Sequence, residues 1–303
     1  MSFNASDIQF YIIPETVEGV VPSTGTAHKL DHSPGSSPTY SREAIASPKQ
    51  YAKRMSGGTR TVGGSVGGSL DFHLSRSDAI DLLLASALSG KWVGNSLVAG
   101  DQDTSFTILK TTGEGNDTYH AYKGVQVSEL SISVDPQGNA EGSVNLIGMD
   151  YEKPTSFALP EDIMLGVGST AFGLASPDVL ATIGLLPDVK ARSITITVGH
   201  EREVKDALGD TPVVGIGTSG SRTATIELTF YRKDFAPETV FENDARTPAS
   251  ILIGGGIPGY EFSGPAFSAS WPEESVDGSK LLVTVTLTAS YDVNGDFKIT
   301  KTA

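Results

Sequence analysis

An all-β fold with a minor helical part is what this 303-residue chain predicts, and three observations carry the prediction. Glycine is 34 of the 303 residues with 16 prolines beside it, about 11% glycine where ~7% is usual, which argues against a long helical bundle. Several segments alternate apolar and polar residues with period two, as half-buried strands do. Helical spacing is confined to short stretches. The length allows two domains, and hydrophobic residues at 38% can build a real core. Charge narrows the function classes. Lys+Arg 22 against Asp+Glu 36 gives a net charge of −14, so tight binding to nucleic acid phosphates is not expected. With no cysteine, disulfides, cysteine nucleophiles and thiolate metal sites are excluded. The start, Met1 to Asp7, lacks a basic n-region and an apolar h-region, so no signal peptide is expected. The chain reads as an acidic, soluble protein made inside the cell.

Taken in order, Ile8, Phe10 and Ile12 share one face of a first strand, while Tyr11 and Ile13 make its other face apolar too. Residues 31–69 hold Pro34, Pro38, Pro48 and the glycine pairs 57–58, 63–64 and 67–68, and 31–66 is expected to be a long functional loop. Leu70, Phe72 and Leu74 then face one way and Asp71 and His73 the other. Ser75-Arg-Ser-Asp78 resembles a capped start, and Ile80, Leu83, Leu84 and Leu88 predict a helix over 76–88 that Gly90 stops. Strands are predicted at 104–110, 125–134 and 141–150. Ser176 as N-cap, Pro177 and Asp178 predict a short helix over 177–183. Further strands are expected at 191–199, 222–231, 249–254 and 280–291, with a helix near 237–245. Asn294-Gly295 between Tyr291 and Phe297 is a hairpin signal.

A repeat underlies this order. Gly64 to Asp78 aligns with Gly220 to Asp234 at a constant offset, since 220−64 and 234−78 both equal 156. Gly, Ser, Arg and Asp coincide, Leu70 meets Ile226, Asp71 meets Glu227, and Phe72 meets Leu228. Each block runs into a predicted helix. Then Ser105 to Ile108 answers Ser250 to Ile253, Tyr122-Lys-Gly124 answers Phe262-Ser-Gly264, and Val144 to Tyr151 answers Val283 to Tyr291. The chain therefore divides into a first unit, 1–151, a linker with a short helix, 152–185, and a second unit, 186–303. Acidity belongs to both halves: 10 basic and 16 acidic residues in 1–151 give −6, and 12 and 20 in 152–303 give −8.

Catalytic letter patterns fail on context. Gly215-Ile-Gly-Thr-Ser-Gly220 is followed by a strand, whereas dinucleotide binding needs a helix N-terminus at the pyrophosphate. Gly166-Val-Gly-Ser-Thr-Ala171 fails alike. Gly63-Gly-Ser65-Val-Gly67 has the nucleophile-elbow letters but no helix after it. His28 and His32 sit among glycines and prolines rather than on a helix, and Asp292-Val-Asn-Gly-Asp296 has its glycine too early for a calcium loop. No active site, metal or cofactor is expected.

With the repeat in view, a family resemblance emerges. Ser41-Arg-Glu43 with Arg54 and Arg60, Gly68-Ser-Leu-Asp-Phe-His-Leu74, the helix 76–88, Gly90-Lys-Trp92, Thr104 to Ile108 and Tyr119 to Tyr151 follow one another in a familiar order. That order resembles the tail tube proteins of phages with long, flexible, non-contractile tails. The resemblance covers most of 41–151, and the second half enters through the repeat. It implies two tandem β-sandwich units, each flanked by one helix, that close into a β-barrel tube on oligomerisation. It further implies a structural virion protein, not an enzyme, made in the bacterial host's cytoplasm. Sixfold rings of single-copy relatives translate here into homotrimeric, pseudo-sixfold, stacked rings, with a homohexamer as the alternative. The implied partners are a tape-measure protein in the lumen, tail terminator and tail-tip proteins, and double-stranded DNA in transit, with no membrane. Asp71 and Glu227 are the expected lumen-lining carboxylates. Arg42, Lys49, Lys53, Arg54 and Arg60 are the expected inter-ring contacts of the long loop. A carbohydrate-binding or adhesin-like double β-sandwich shares the composition and predicts exposed aromatics on one face. A hydrolase on a β scaffold predicts convergent carboxylates in a pocket.

Overall fold

A computed structural model describes residues 7–35, 37–51, 55–111, 118–186, 190–208, 213–244, 246–293 and 295–303. The fold is nearly all β with two α-helices among these residues. The first half carries β1 (Gln9–Pro14), β2 (Thr24–Leu30), β3 (Pro38–Ala46), β4 (Gln50–Tyr51), β5 (Met55–Ser56) and β6 (Thr59–His73). It continues with α1 (Asp78–Ala87), β7 (Trp92–Val93), β8 (Ser96–Val98), β9 (Phe106–Thr111), β10 (Tyr119–Val134) and β11 (Ala140–Ile147). Then come β12 (Asp150–Glu152), β13 (Asp162–Leu165) and β14 (Val179–Ile183). The second half carries β15 (Ala191–Gly199), β16 (Arg202–Lys205), β17 (Gly215–Thr218), β18 (Thr223–Tyr231) and α2 (Ala236–Glu242). It ends with β19 (Thr247–Ile253), β20 (Tyr260–Ala269), β21 (Glu273–Asp277), β22 (Lys280–Ala289) and β23 (Lys298–Lys301).

Among the described residues nineteen strands form one hydrogen-bonded network, with β4–β5 and β16–β17 as separate ribbons. Its spine is the antiparallel sheet β6–β11–β10–β15–β18–β22. The β10–β15 pairing, Glu129↔Gly199 to Val134↔Ile194, makes it continuous across the two halves. One apolar face, including Leu70, Phe72, Leu130, Ile132, Val144, Ile196, Ile226, Leu228 and Val285, enters a core cluster that runs from Phe10 to Ile299. Burying each such side chain contributes about 1.5–3 kcal/mol. The doubly apolar first strand has its reason here. Phe10 and Ile12 join the main core, while Tyr11 and Ile13 form a second one with Ala27, Leu109, Phe157 and Ile163.

Helix α1 starts two residues later than expected, capped by Ser77 rather than Ser75. Ser77 Oγ accepts the Ile80 N–H at 3.3 Å, and Asp78 and Asp81 occupy the first turn, where the dipole favours them. It stops as Ser89 turns to φ +45°, and a Cβ on Gly90 would lie 2.4 Å from the Val98 carbonyl oxygen.

Two expectations change. The helix expected over 177–183 is a single 3-10 turn, Ser176–Asp178, followed by strand β14. Val179, Thr182 and Ile183 instead pair along β19, Val179↔Ile253 to Ile183↔Ala249, so tertiary pairing overrides the capped start. The loop expected over 31–66 contains a long hairpin arm, β3 paired with β6 from Pro38↔Gly68 to Ala46↔Thr59. Its glycines serve the ribbon: a Cβ on Gly64 would lie 2.3 Å from the Tyr40 hydroxyl, so only glycine lets that ring cross the neighbouring strand. The Asn294-Gly295 turn falls partly outside the described residues, since Asn294 is not among them.

Candidate functional site

Because side chains alternate across a strand, fixing the apolar face of the spine fixes what its other face presents. One row runs Asp71, Ser143, Ser131, Thr197, Thr225, Thr288 across six strands. The next runs His73, Glu141, Ser133, Thr195, Glu227, Thr286, and on the other side lie Ser69, Asn145, Glu129, Gly199 and Thr223. These three rows carry four carboxylates, many hydroxyls and no lysine or arginine. Threonine suits the pleat and pairs across strands, as Thr229 and Thr284 do with hydroxyls 3.0 Å apart. Ser143 Oγ donates to Asp71 Oδ1 at 2.6 Å. Glu227 is exposed, Asp71 half-buried.

Asp71 and Glu227 thus do lie on one face of one sheet, in adjacent rows. The sequence reading missed Glu129, Glu141 and the hydroxyl rows. Their signal was present in the polar members of Ser131-Ile-Ser133 and Thr195-Ile-Thr197. His73 shares the face, but Gly173 passes over it so closely that a Cβ there would lie 2.0 Å from the imidazole Cε1.

The arm cations are divided. Arg42, Lys49 and Arg60 are exposed, whereas Lys53 and Arg54 lie outside the described residues. Arg42 donates from Nε to the Tyr40 hydroxyl at 3.4 Å, and Tyr40 stacks on Tyr151 at 5.4 Å. That ring in turn contacts Tyr122 and His120, an aromatic base for the arm. Burial pushes the Tyr122 phenol up to about 12.

Two polar clusters lock the halves together. Asp81 accepts from Arg76 at 2.9 and 3.2 Å and from the Tyr260 hydroxyl at 2.9 Å, and pairs with Lys301 Nζ at 2.6 Å. Lys301 also lies 4.1 Å above the Trp92 ring. In the second cluster Arg202, its side chain fully buried, pairs with Asp103 at 2.9 Å and donates to the Ser86 carbonyl and Ser89 Oγ, each at 3.0 Å, and to Gln126. Asp103 also accepts from Ser89 Oγ at 2.7 Å and Thr218 Oγ1 at 3.1 Å. Burial alone would raise the Asp103 carboxyl; the Ser89 bond and the Arg202 charge outweigh it and hold the group below its ordinary value.

Elsewhere the sequence motifs resolve into scaffold. Gly215–Thr218 is strand β17 and Ser65 lies within β6. His28 meets Asp78 at 3.5 Å, and His32 packs edge-on to Phe10. Among the described residues no group of three or more histidine or acidic side chains is placed to hold a metal, and no helix is long and apolar enough to cross a membrane. Rows of hydroxyls and carboxylates without lysine or arginine repel a polyanion rather than hold it.

The family model described as phage tail tube protein matches residues 5–296. No curated protein matches the chain.

Proposed function

We propose that this chain, which belongs to the phage tail tube protein family, lines the tube with the polar face of its six-stranded spine. The carrying observation is the three rows without lysine or arginine, continuous through both halves. DNA passing it meets like charge and exchangeable hydroxyls, so it slides without being held. The tube then acts as the conduit for genome ejection in a long, flexible tail, filled before ejection by a tape-measure protein and closed by terminator and tip proteins.

We read the chain as two tandem units, 1–151 and 186–303, around the linker 152–185. The pairings support this. In the first half β9 pairs with the start of β10, whose end pairs with β11, which pairs with β6. In the second, β19 pairs with the start of β20, whose end pairs with β22, which pairs with β18. A helix follows β6 and another follows β18. The linker divides between them, with β13 parallel to β2 and β14 on β19.

Each unit offers four strands to the tube wall: β3, β6, β11 and β10 from the first, β15, β18, β22 and β21 from the second. Three chains give 3 × 8, or 24 strands. At ~4.8 Å per strand the wall is roughly 37 Å across at the backbone, more once the strands tilt, which leaves an aqueous channel. Ring closure joins the exposed β21 to β3 of the next chain, as β10 joins β15 within one, and so covers two sheet edges. Mass measurement of isolated rings, with end-on electron micrographs of assembled tubes, tests the stoichiometry. Three chains per ring are expected; six would overturn the trimer, and a chain that forms neither rings nor tubes would overturn the reading.

A further inference from the structure

The 156-residue offset brings Arg76 onto Arg232, and each arginine pairs with a carboxylate early in the helix that follows: Asp81 in α1, Glu238 in α2 at 2.5 Å. The two sites differ in what covers them. Over α1, the second half supplies the Tyr260 hydroxyl and the Lys301 ammonium, so both Asp81 oxygens are satisfied. Over α2 there is an open groove of about 870 Å³. Phe235 and Trp271 line it at 73% and 53% exposure, together with Glu242 and Glu273. Glu238 Oε2 is buried there with no hydrogen-bond partner among the described residues.

Sheet register identifies the counterparts of Tyr260 and Lys301. Leu228 lies opposite Val285, and four residues on, Ala289 lies opposite Phe267. In the first half Phe72 lies opposite Gly142, and four residues on, Leu146 lies opposite Val127. Val127 therefore matches Phe267, and seven residues back His120 matches Tyr260. Lys301 lies opposite Tyr260, while Glu152 lies opposite Ala121, so the next step along that register sets Lys153 opposite His120. Lys153 is exposed and its charge complements the groove.

We infer that the α2 groove is the docking site for a second copy of this chain, whose Lys153 pairs with Glu238 while the His120–Tyr151 ring pair covers Phe235 and Trp271. This rests on the tube reading above and adds a second contact, beside the β21–β3 pairing, to ring closure. The interface inside one chain is its template, with one departure. Pairing of β23 on β8 has no equivalent, because residues 243–246 alone join α2 to β19, whereas the α1 connection carries the β7–β8 hairpin.

The test uses the absence of native cysteine. Lys153→Cys with Glu238→Cys, assembled and treated with a short bismaleimide, should give chains linked into closed rings, and either single variant should give none. Assembled tubes of the double variant that remain unlinked would overturn the contact while leaving the tube reading intact. Failure of the parent chain to self-associate would remove both. In parallel, Lys153→Glu should keep the parent circular dichroism and lose ring formation by at least roughly tenfold, while Lys153→Arg should retain it. Full assembly of Lys153→Glu alone would also overturn the contact.

Discussion

Arg202 is the side chain whose loss should cost the fold most for its position on a surface hairpin. It leaves β16, enters the first half, and has no exposed side-chain area. Arg202→Ala removes the partner of Asp103, leaves the Ser86 carbonyl and Gln126 without their donor, and opens a cavity. Removing one member of a buried ion pair costs about 3–5 kcal/mol. Asp103 is a third exposed and can recover some solvation, which places the expectation at about 3 kcal/mol. Arg202→Met fills the space without the charge. Burial works against the guanidinium, lowering its pKa, so the apolar replacement should cost only about 1–2 kcal/mol. The sign with pH follows from Asp103. Its carboxyl is held below the ordinary value, so the stability it contributes is complete above the unfolded pKa of about 3.9 and is lost as pH falls through the lower folded value. Both variants should therefore lose stability less steeply than the parent below about pH 4. Urea unfolding of dissociated subunits, followed by circular dichroism at pH 7 and across the acid limb, measures all three quantities. Arg202→Ala within about 0.5 kcal/mol of the parent, or an unchanged acid limb, would refute the assignment of this cluster as the lock between halves.

Other perturbations separate the remaining roles. Asp71→Lys with Glu227→Lys should leave tube assembly intact and slow or trap genome passage, read as DNA release over time. Unchanged release, or a tube structure with these residues on the exterior, would remove them from the lumen. The effect should grow at low ionic strength, since at physiological salt the field reaches only about 8 Å. Replacing residues 47–58, which join β3 to β6, by a short turn should leave folded subunits that close rings but do not stack, and tubes of normal length would contradict the inter-ring role expected of the arm. Gly142→Ala should destabilise by about 1–3 kcal/mol in the same urea assay, because its Cβ would meet the Phe72 ring at 2.3 Å; a neutral outcome would mean that the ring can move aside.

What the sequence made legible was what period and punctuation encode. Leu70-Asp-Phe-His-Leu74 announced a strand with one polar face, and Thr223 to Phe230 announced another, because alternation is local and survives in any context. The β10–β15 joint was not legible, since either strand could have formed an edge. Val179 to Ile183 was misread because a good N-cap is worth ~1 kcal/mol and a strand partner outside the window is worth more. The arm was misread because glycines at positive φ, such as Gly63 and Gly64, look like loop until the tyrosine crossing them is known. Arg202 carried no signal at all: buried and exposed arginines look alike until the fold places Asp103 beside one of them.

The two halves differ most in their hairpins. Between β3 and β6 the first half extends a long arm with exposed cations, while the second half, between β15 and β18, has the shorter β16–β17 ribbon, which folds back onto its own chain through Arg202 and Thr218. In a ring of three chains, six positions around the circle would then alternate between tethered and untethered. Consecutive rings would be tied at three points, leaving three seams that can gape when the tail bends. On the two-unit reading proposed above, one unit would fasten the filament while the other keeps it supple.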